Sequence, residues 1–209
     1  MAFQRDYVLR LIEMMGDFFR RLGEMIDEKE QTRALDGACR EQCGLSMEAA
    51  CALSEQTVEE LLPPQGILML SELTYAQAMV TARDEEKKAA LLLRTLRLLC
   101  MLWEEETLCA ERAPRLKELM DACGDLLTPE DYLACARFLM AGEHFDWGED
   151  AVFLSVEEAP AEDKHYYILQ GVALFRGLLT LPDGTLAPGG LPRAEVLRAI
   201  DDLQAQEQA

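Results

Sequence analysis

Ala89-Ala90-Leu91-Leu92-Leu93-Arg94-Thr95-Leu96-Arg97-Leu98-Leu99-Cys100-Met101-Leu102-Trp103 is apolar at every position except Arg94, Thr95 and Arg97. On a helical wheel Lys87, Arg94, Arg97 and Glu105 share one strip, and the remaining arc is mostly leucine, with Cys100 and Trp103. That arc is far wider than the apolar stripe of about 100° on a helix that lies at a domain surface. The stretch is therefore expected to be a central helix covered by neighbours on more than one side. It is too short for a bilayer, which needs about 20 apolar residues, and its two arginines fall where lipid would be.

Working backwards, Asp84-Glu85-Glu86 puts negative charge where a helix N-terminus favours it. Met69, Leu73, Ala76 and Val80 stripe a helix over Ile67 to Arg83, and the short connection makes the two an antiparallel hairpin. Pro63-Pro64-Gln65-Gly66 breaks the chain before it, and Ser54 and Ser46 are N-caps for two short helices. Between Asp27 and Gly44 apolar content thins, and Asp36-Gly37 is a turn dipeptide, so a weak helix or a hinge is expected. At the N-terminus Phe3, Tyr7, Leu11, Met14, Phe18, Leu22 and Met25 recur at steps of three and four, giving one long amphipathic helix over roughly residues 3 to 30. Its Phe/Met face suits a membrane surface, a partner's groove or its own domain, the last being the usual fate of such a face.

Working forwards, the central helix is expected to run past Glu104-Glu105-Glu106 to about Arg112, with Pro114 as its stop. Leu116, Leu119, Met120 and Cys123 mark a short helix. Thr128-Pro129-Glu130-Asp131 is a strong start signal for a helix ending at Gly142. Asp146 and Glu149 have capping-box spacing ahead of Val152, Phe153 and Val156. Ile168, Val172, Phe175 and Leu179 stripe a later helix in which Gly171 and Gly177 could both admit a close neighbour. Leu181 to Gly190 reads as a loop, Pro192 opens a last helix lined by Val196, Ile200 and Leu203, and Gln204 to Ala209 should fray. No segment alternates with period two, so no sheet is expected.

The fold expected is all-α, with about eight or nine helices in one domain over residues 1–209. Residues 1–30 form its long first helix, able to stand as a separate arm, 46–180 a core of helical hairpins, and 191–205 the C-terminal helix. The hairpins at Ile67–Trp103 and Pro129–Ala159 lie about 60 residues apart, a helical-repeat layout. It is tetratricopeptide-like in arrangement, though not in the full residue pattern.

Formal net charge is -19, from 39 acidic and 20 basic side chains. Such a field repels phosphate backbones and anionic lipid, which argues against nucleic acid and membrane as partners, and it keeps a leucine-rich chain dissolved. The first helix is the exception, because Arg5, Arg10, Arg20 and Arg21 nearly balance Asp6, Glu13 and Asp17. Seven cysteines without framework spacing, and an opening unlike a signal peptide, point to a reducing cytoplasm where Cys51, Cys100 and Cys135 serve as small core residues.

The opening Arg5-Asp6-Tyr7-Val8-Leu9-Arg10-Leu11-Ile12-Glu13-Met14-Met15-Gly16 and the closing Gly189-Gly190-Leu191-Pro192-Arg193-Ala194-Glu195-Val196 resemble an uncharacterised family of helical proteins from Gram-positive gut bacteria. The resemblance implies a tetratricopeptide-like helical fold and brings no activity, cofactor or site residues.

The most chemical-looking stretch is Gly142 to Asp150, where His144 stands among Glu143, Asp146, Glu149 and Asp150 beside Phe145 and Trp147. A histidine with carboxylates is an acid/base or metal arrangement, but acids capping the next helix and aromatics plugging the core are the commoner use. Cys39 and Cys43 lack the second close pair of a zinc site. Arg94 and Arg97 suit an anion in a concave helical face, or pairing with carboxylates. Nucleophile-elbow, dinucleotide and Walker patterns do not occur. The sequence thus assigns no catalytic residue, metal ligand or cofactor. It favours a non-enzymatic module binding a protein or peptide between hairpins, with Arg94, Arg97, His144 and Trp147 as candidate contacts. Self-association through Met15, Phe18, Phe19 and Leu22 is a related expectation, and a small-molecule or metal-dependent enzyme centred on His144 is the alternative.

Overall fold

The computed structural model describes residues 5–25, 27–81 and 84–207. The expected start at Phe3, the side chains of Tyr7 and Val8, Ile26, Arg83, Gln208 and Ala209 lie outside what it describes. Twelve α-helices form among the described residues: α1 (Arg5–Glu24), α2 (Glu28–Cys43), α3 (Met47–Ala52), α4 (Glu55–Leu61), α5 (Pro64–Val80), α6 (Glu85–Cys100), α7 (Glu106–Cys123), α8 (Pro129–Ala141), α9 (Phe145–Glu157), α10 (Lys164–Leu178), α11 (Asp183–Leu186) and α12 (Arg193–Glu207), with a 3-10 turn at Gly124–Leu126. No strand occurs among them, and none of these helices is long and apolar enough to cross a membrane.

The count exceeds eight or nine for local reasons. The first helix stops at Glu24 because Asp27 turns extended (φ -92°, ψ 117°) and its carboxylate accepts the Lys29 N–H, so a new helix begins. Of the two expectations for Asp27 to Gly44, a weak helix or a hinge, the helix holds, as α2: Asp36 and Gly37 sit inside it, and its terminus is Gly44 in the left-handed region at φ 71°. The leucine-dense helix ends at Cys100, where tight bonds from Leu102 N–H to the Leu99 carbonyl and from Glu105 N–H to the Leu102 carbonyl fold Met101 to Glu104 into a turn. Pro114, the expected stop, lies within α7. Its missing N–H would have served the Ala110 carbonyl, and both residues are exposed, while Ala113, Leu116, Leu119 and Met120 bury the opposite face. Packing overrides the local breaker. The last helix runs to Glu207, through much of the tail expected to fray.

α6 is covered by α5, α7 and α8, with Leu91, Leu92, Leu96, Leu98, Leu99 and Cys100 buried. Trp103, past the helix end, is 45% exposed. The helix buried most evenly around its circumference is α5, where Leu68, Leu70, Leu73, Ser71, Glu72, Thr74 and Gln77 are all inside. Its polar side chains are hidden because Ser71 and Thr74 donate to the Leu68 and Leu70 carbonyls of their own helix (2.8 and 2.7 Å). α5–α6 and α8–α9 are the tightly packed hairpins. α6 touches α8, α9 touches α10, α12 closes on α10, and α2 packs on α5.

The first donors of α9 are not served by an Asp146–Glu149 capping box. The carbonyl of Gly189 accepts from Phe145 and Asp146 N–H (3.0 and 3.3 Å), tying the loop after α11 to the start of α9.

Gly171 and Gly177 part ways. A Cβ on Gly171 would stand 2.5 Å from Val152 Cγ1 and 2.9 Å from Leu203 Cδ1, where α10 meets α9 and α12, whereas one on Gly177 meets nothing within 4 Å. Urea denaturation should show Gly171→Ala destabilising by about 1–3 kcal/mol through overpacking. Gly177→Ala should stabilise by up to about 1 kcal/mol through helix propensity.

Candidate interaction groove

α1 lays its apolar face on the body of the protein. Leu11, Met15 and Leu22 are buried in the common core, Phe18 and Phe19 pack partly against it with rings edge to face at 6.0 Å, and Met14 stays 44% exposed. The α1–α2 corner is fastened by Gln31, whose Nε2 donates to the Leu22 and Met25 carbonyls, both at 3.1 Å. The Leu22 carbonyl also accepts the Met25 N–H at 3.2 Å, so the last turn of α1 is closed from both sides.

The face α2 turns toward α1 carries Ala34, Gly37 and Ala38, side chains too short to close the gap. A groove of about 450 Å³ remains between α1, α2 and α5, floored by Met69 and Leu73 and walled by Met14, Phe18, Leu22 and Met25. Arg21 and Glu41 stand in its lining. Arg20 holds the Asp17 carboxylate at 2.9 Å, and Arg21 reaches only the Asp17 carbonyl, at 3.3 Å. Neither Arg21 nor Glu41 forms an ion pair among the described residues. Thioethers and an aromatic ring make an adaptable apolar seat for a side chain of another molecule.

The arginines of α6 are engaged elsewhere. Arg94 Nη1 meets Glu55 Oε1 at 2.5 Å, and its Nε and Nη2 are buried without a hydrogen bond among the described residues. Arg97 makes a two-pronged pair with Asp131 (2.8 and 3.0 Å), joining α6 to the start of α8. Asp131 also accepts from the Thr128 N–H and hydroxyl and returns its own N–H to Thr128, the complete capping box of α8. Burial works to raise the Asp131 carboxyl, but the Arg97 guanidinium and the Thr128 bonds outweigh it and hold the group below the usual carboxylate range. A carboxyl held lower in the folded chain than its unfolded value of about 3.9 adds stability above that value, which is lost as pH falls through the folded one. Asp131→Asn should cost about 1–2 kcal/mol at pH 7, allowing for the third of Arg97 that water reaches, and the gap to wild type should narrow at pH 3 in thermal unfolding.

His144 precedes α9 and stacks on Trp147, with ring centroids 4.7 Å apart and planes 13° from parallel. His165 pairs with Glu207 at 2.8 Å, on α10 and α12. The acids of the Gly142–Asp150 stretch are not gathered around His144. Glu149 lies instead among Asp150, Glu195, Asp146 and Asp202, and burial first, then those charges, push its carboxyl up. Among the described residues no group of three or more His, Cys, Asp or Glu side chains is arranged to hold a metal.

All seven cysteines are free thiols. Cys100 and Cys135 lie sulfur to sulfur at 3.7 Å in the core, and burial pushes Cys109 to about 12 and Cys123 to about 11. Burial closes these thiols to reagents. N-ethylmaleimide on the native protein should modify half-buried Cys51 first, and mass mapping should find Cys100, Cys109, Cys123 and Cys135 labelled only after unfolding.

The groove unites residues that sequence reasoning placed apart. Met15, Phe18 and Leu22 were expected on the apolar face of the first helix and Met69 and Leu73 on the stripe of the Ile67–Arg83 helix, but Ala34, Gly37 and Ala38 were assigned to no site. The available signal was the run of small residues at i, i+3 and i+4 in α2. No curated protein and no solved structure shows significant similarity to the chain. Residues 2–208 match a family of unknown function (DUF6483), and the chain belongs to that family.

Proposed function

We propose that this protein is a non-enzymatic helical interaction module of tetratricopeptide-like layout, which seats an apolar segment of a protein in the groove between α1, α2 and α5. The observation that carries the reading is the groove itself: a concave cleft of about 450 Å³ walled by methionines, phenylalanine and leucine, beside the half-exposed Met14. Grooves of this kind accept the apolar face of an amphipathic helix, and thioether side chains adapt to its shape. The adjoining hairpins α5–α6 and α8–α9 are in keeping with the stacked layout. The free thiols suit a cytoplasmic setting, and the net charge of -19 disfavours nucleic acid and anionic membranes.

The test places a photo-crosslinking amino acid at Met14, with exposed Leu61 on α4 as the control position. Irradiation in the native cell should give a discrete protein adduct from Met14 and none from Leu61. Equal, diffuse labelling from both positions would overturn the reading.

A further inference from the structure

We infer that the occupant of this groove is a second copy of the same chain, docked about a two-fold axis that runs between the two α1 helices. The inference rests on the docking reading above and adds the identity of the partner.

A two-fold interface brings one patch against itself, so the patch must be its own complement. This groove meets that requirement in shape and in charge. Its wall carries Met14, which projects 44% exposed at the edge of a cleft floored by Met69 and Leu73. Each copy therefore offers one apolar knob and one apolar hole. The same lining carries one cation and one anion, Arg21 on α1 and Glu41 on α2, both exposed and neither ion-paired. A two-fold axis sets each Arg21 against the partner's Glu41, and each Glu41 against the partner's Arg21. A ligand or peptide of one charge sign would match one of these groups and oppose the other.

Long-range electrostatics select the same face. Two chains of charge -19 repel one another over most of their surface. Along α1 from Arg10 to Glu24 the charges Arg10, Arg20 and Arg21 balance Glu13, Asp17 and Glu24, so this helix adds no net repulsion toward a second acidic copy.

The experiment measures the mass of the full-length protein by sedimentation velocity over a concentration series. Wild type, Arg21→Glu, Glu41→Arg and the double variant Arg21→Glu/Glu41→Arg are compared, with circular dichroism as the check on folding. Wild type should rise from 23.5 kDa to twice that mass. Each single reversal sets like charges together twice per dimer and should weaken association by about tenfold or more. The double variant should recover it, and an equimolar mixture of the two single variants should dimerise although neither does alone. A wild type that stays at 23.5 kDa, or a dimer indifferent to all these changes, overturns the inference. The crosslink at Met14 separates the two readings. An adduct of twice the chain mass supports both, an adduct with a different protein overturns the dimer and leaves the docking module standing, and no adduct overturns both.

Discussion

Glu72→Ala is expected to remove about 3–5 kcal/mol of folding stability, the cost of breaking a buried ion pair by deleting one partner. Glu72 sits mid-way along α5 with its side chain 5% exposed, and its Oε1 lies 2.8 Å from Arg112 Nη2 of α7 in an ion pair. Arg112 is itself 13% exposed, and its Nε already has no hydrogen-bond partner among the described residues. Without Glu72 the guanidinium would stay in a nearly dry site with its charge unanswered. Folded domains are stable by only about 5–15 kcal/mol in total, so about a fifth or more would be lost. Exchanging both residues for apolar ones of similar volume, Glu72→Leu with Arg112→Met, should return stability to near the wild-type value, since desolvating the pair consumes most of its Coulombic gain. Urea denaturation decides: a single variant within about 1 kcal/mol of wild type would mean that water reaches Arg112.

The same pair shows why α5 was only half legible in the sequence. A stripe of Met69, Leu73, Ala76 and Val80 announces a helix with one buried face, yet Ser71, Glu72, Thr74 and Gln77 are inside too. Their polarity is met by the backbone of their own helix for Ser71 and Thr74, by Arg112 for Glu72 and by the Thr81 hydroxyl for Gln77, and hydropathy does not record where a polar partner stands. The start of α8 was legible because Thr128, Pro129 and Asp131 act within four residues of one another. α2 was left between two readings, a weak helix or a hinge, for the opposite reason. The Asp36-Gly37 pair favours a turn locally, but Asp36 Oδ1 accepts the Met47 N–H and Oδ2 the Arg40 Nε–H, so both oxygens serve a continuing helix and the start of α3. The groove was least legible of all, because it consists of side chains that are missing, and a run of Ala34, Gly37 and Ala38 reads as low apolar content rather than as space. At His144 the sequence crowds chemically suggestive residues together, and the structure disperses them into a ring stack, a helix start tied to Gly189, and an acidic cluster on α9 and α12.

Gly142→Ala should cost about 3 kcal/mol, the upper part of the range for overpacking. Gly142 closes α8 at φ -85° and ψ 8°, a conformation alanine accepts, so the penalty is one of space alone. An added Cβ would lie 2.7 Å from the Cys109 carbonyl carbon, 2.8 Å from Ala110 N and 2.9 Å from Cys109 O. These are backbone atoms of α7, and unlike a side chain they cannot rotate out of the way. Either α7 moves, pulling the Cys109 thiol off the Leu102 and Trp103 carbonyls, or the end of α8 moves and loses the bonds from Gly142 N–H to Phe138 and Leu139. Gly148 is the matched control. A Cβ there would stand 2.6 Å from Met140 Cγ, a side-chain atom that rotation about the methionine's Cα–Cβ bond can move as no backbone atom can be moved, so Gly148→Ala should cost less, about 1–2 kcal/mol. At about 2–4 °C per kcal/mol for a chain of this size, thermal melts should separate the two variants by several degrees, with Gly142→Ala the lower. Equal midpoints would show that α8 does not touch the backbone of α7 at this point, and the turn from α8 into α9 would then need another explanation for its glycine.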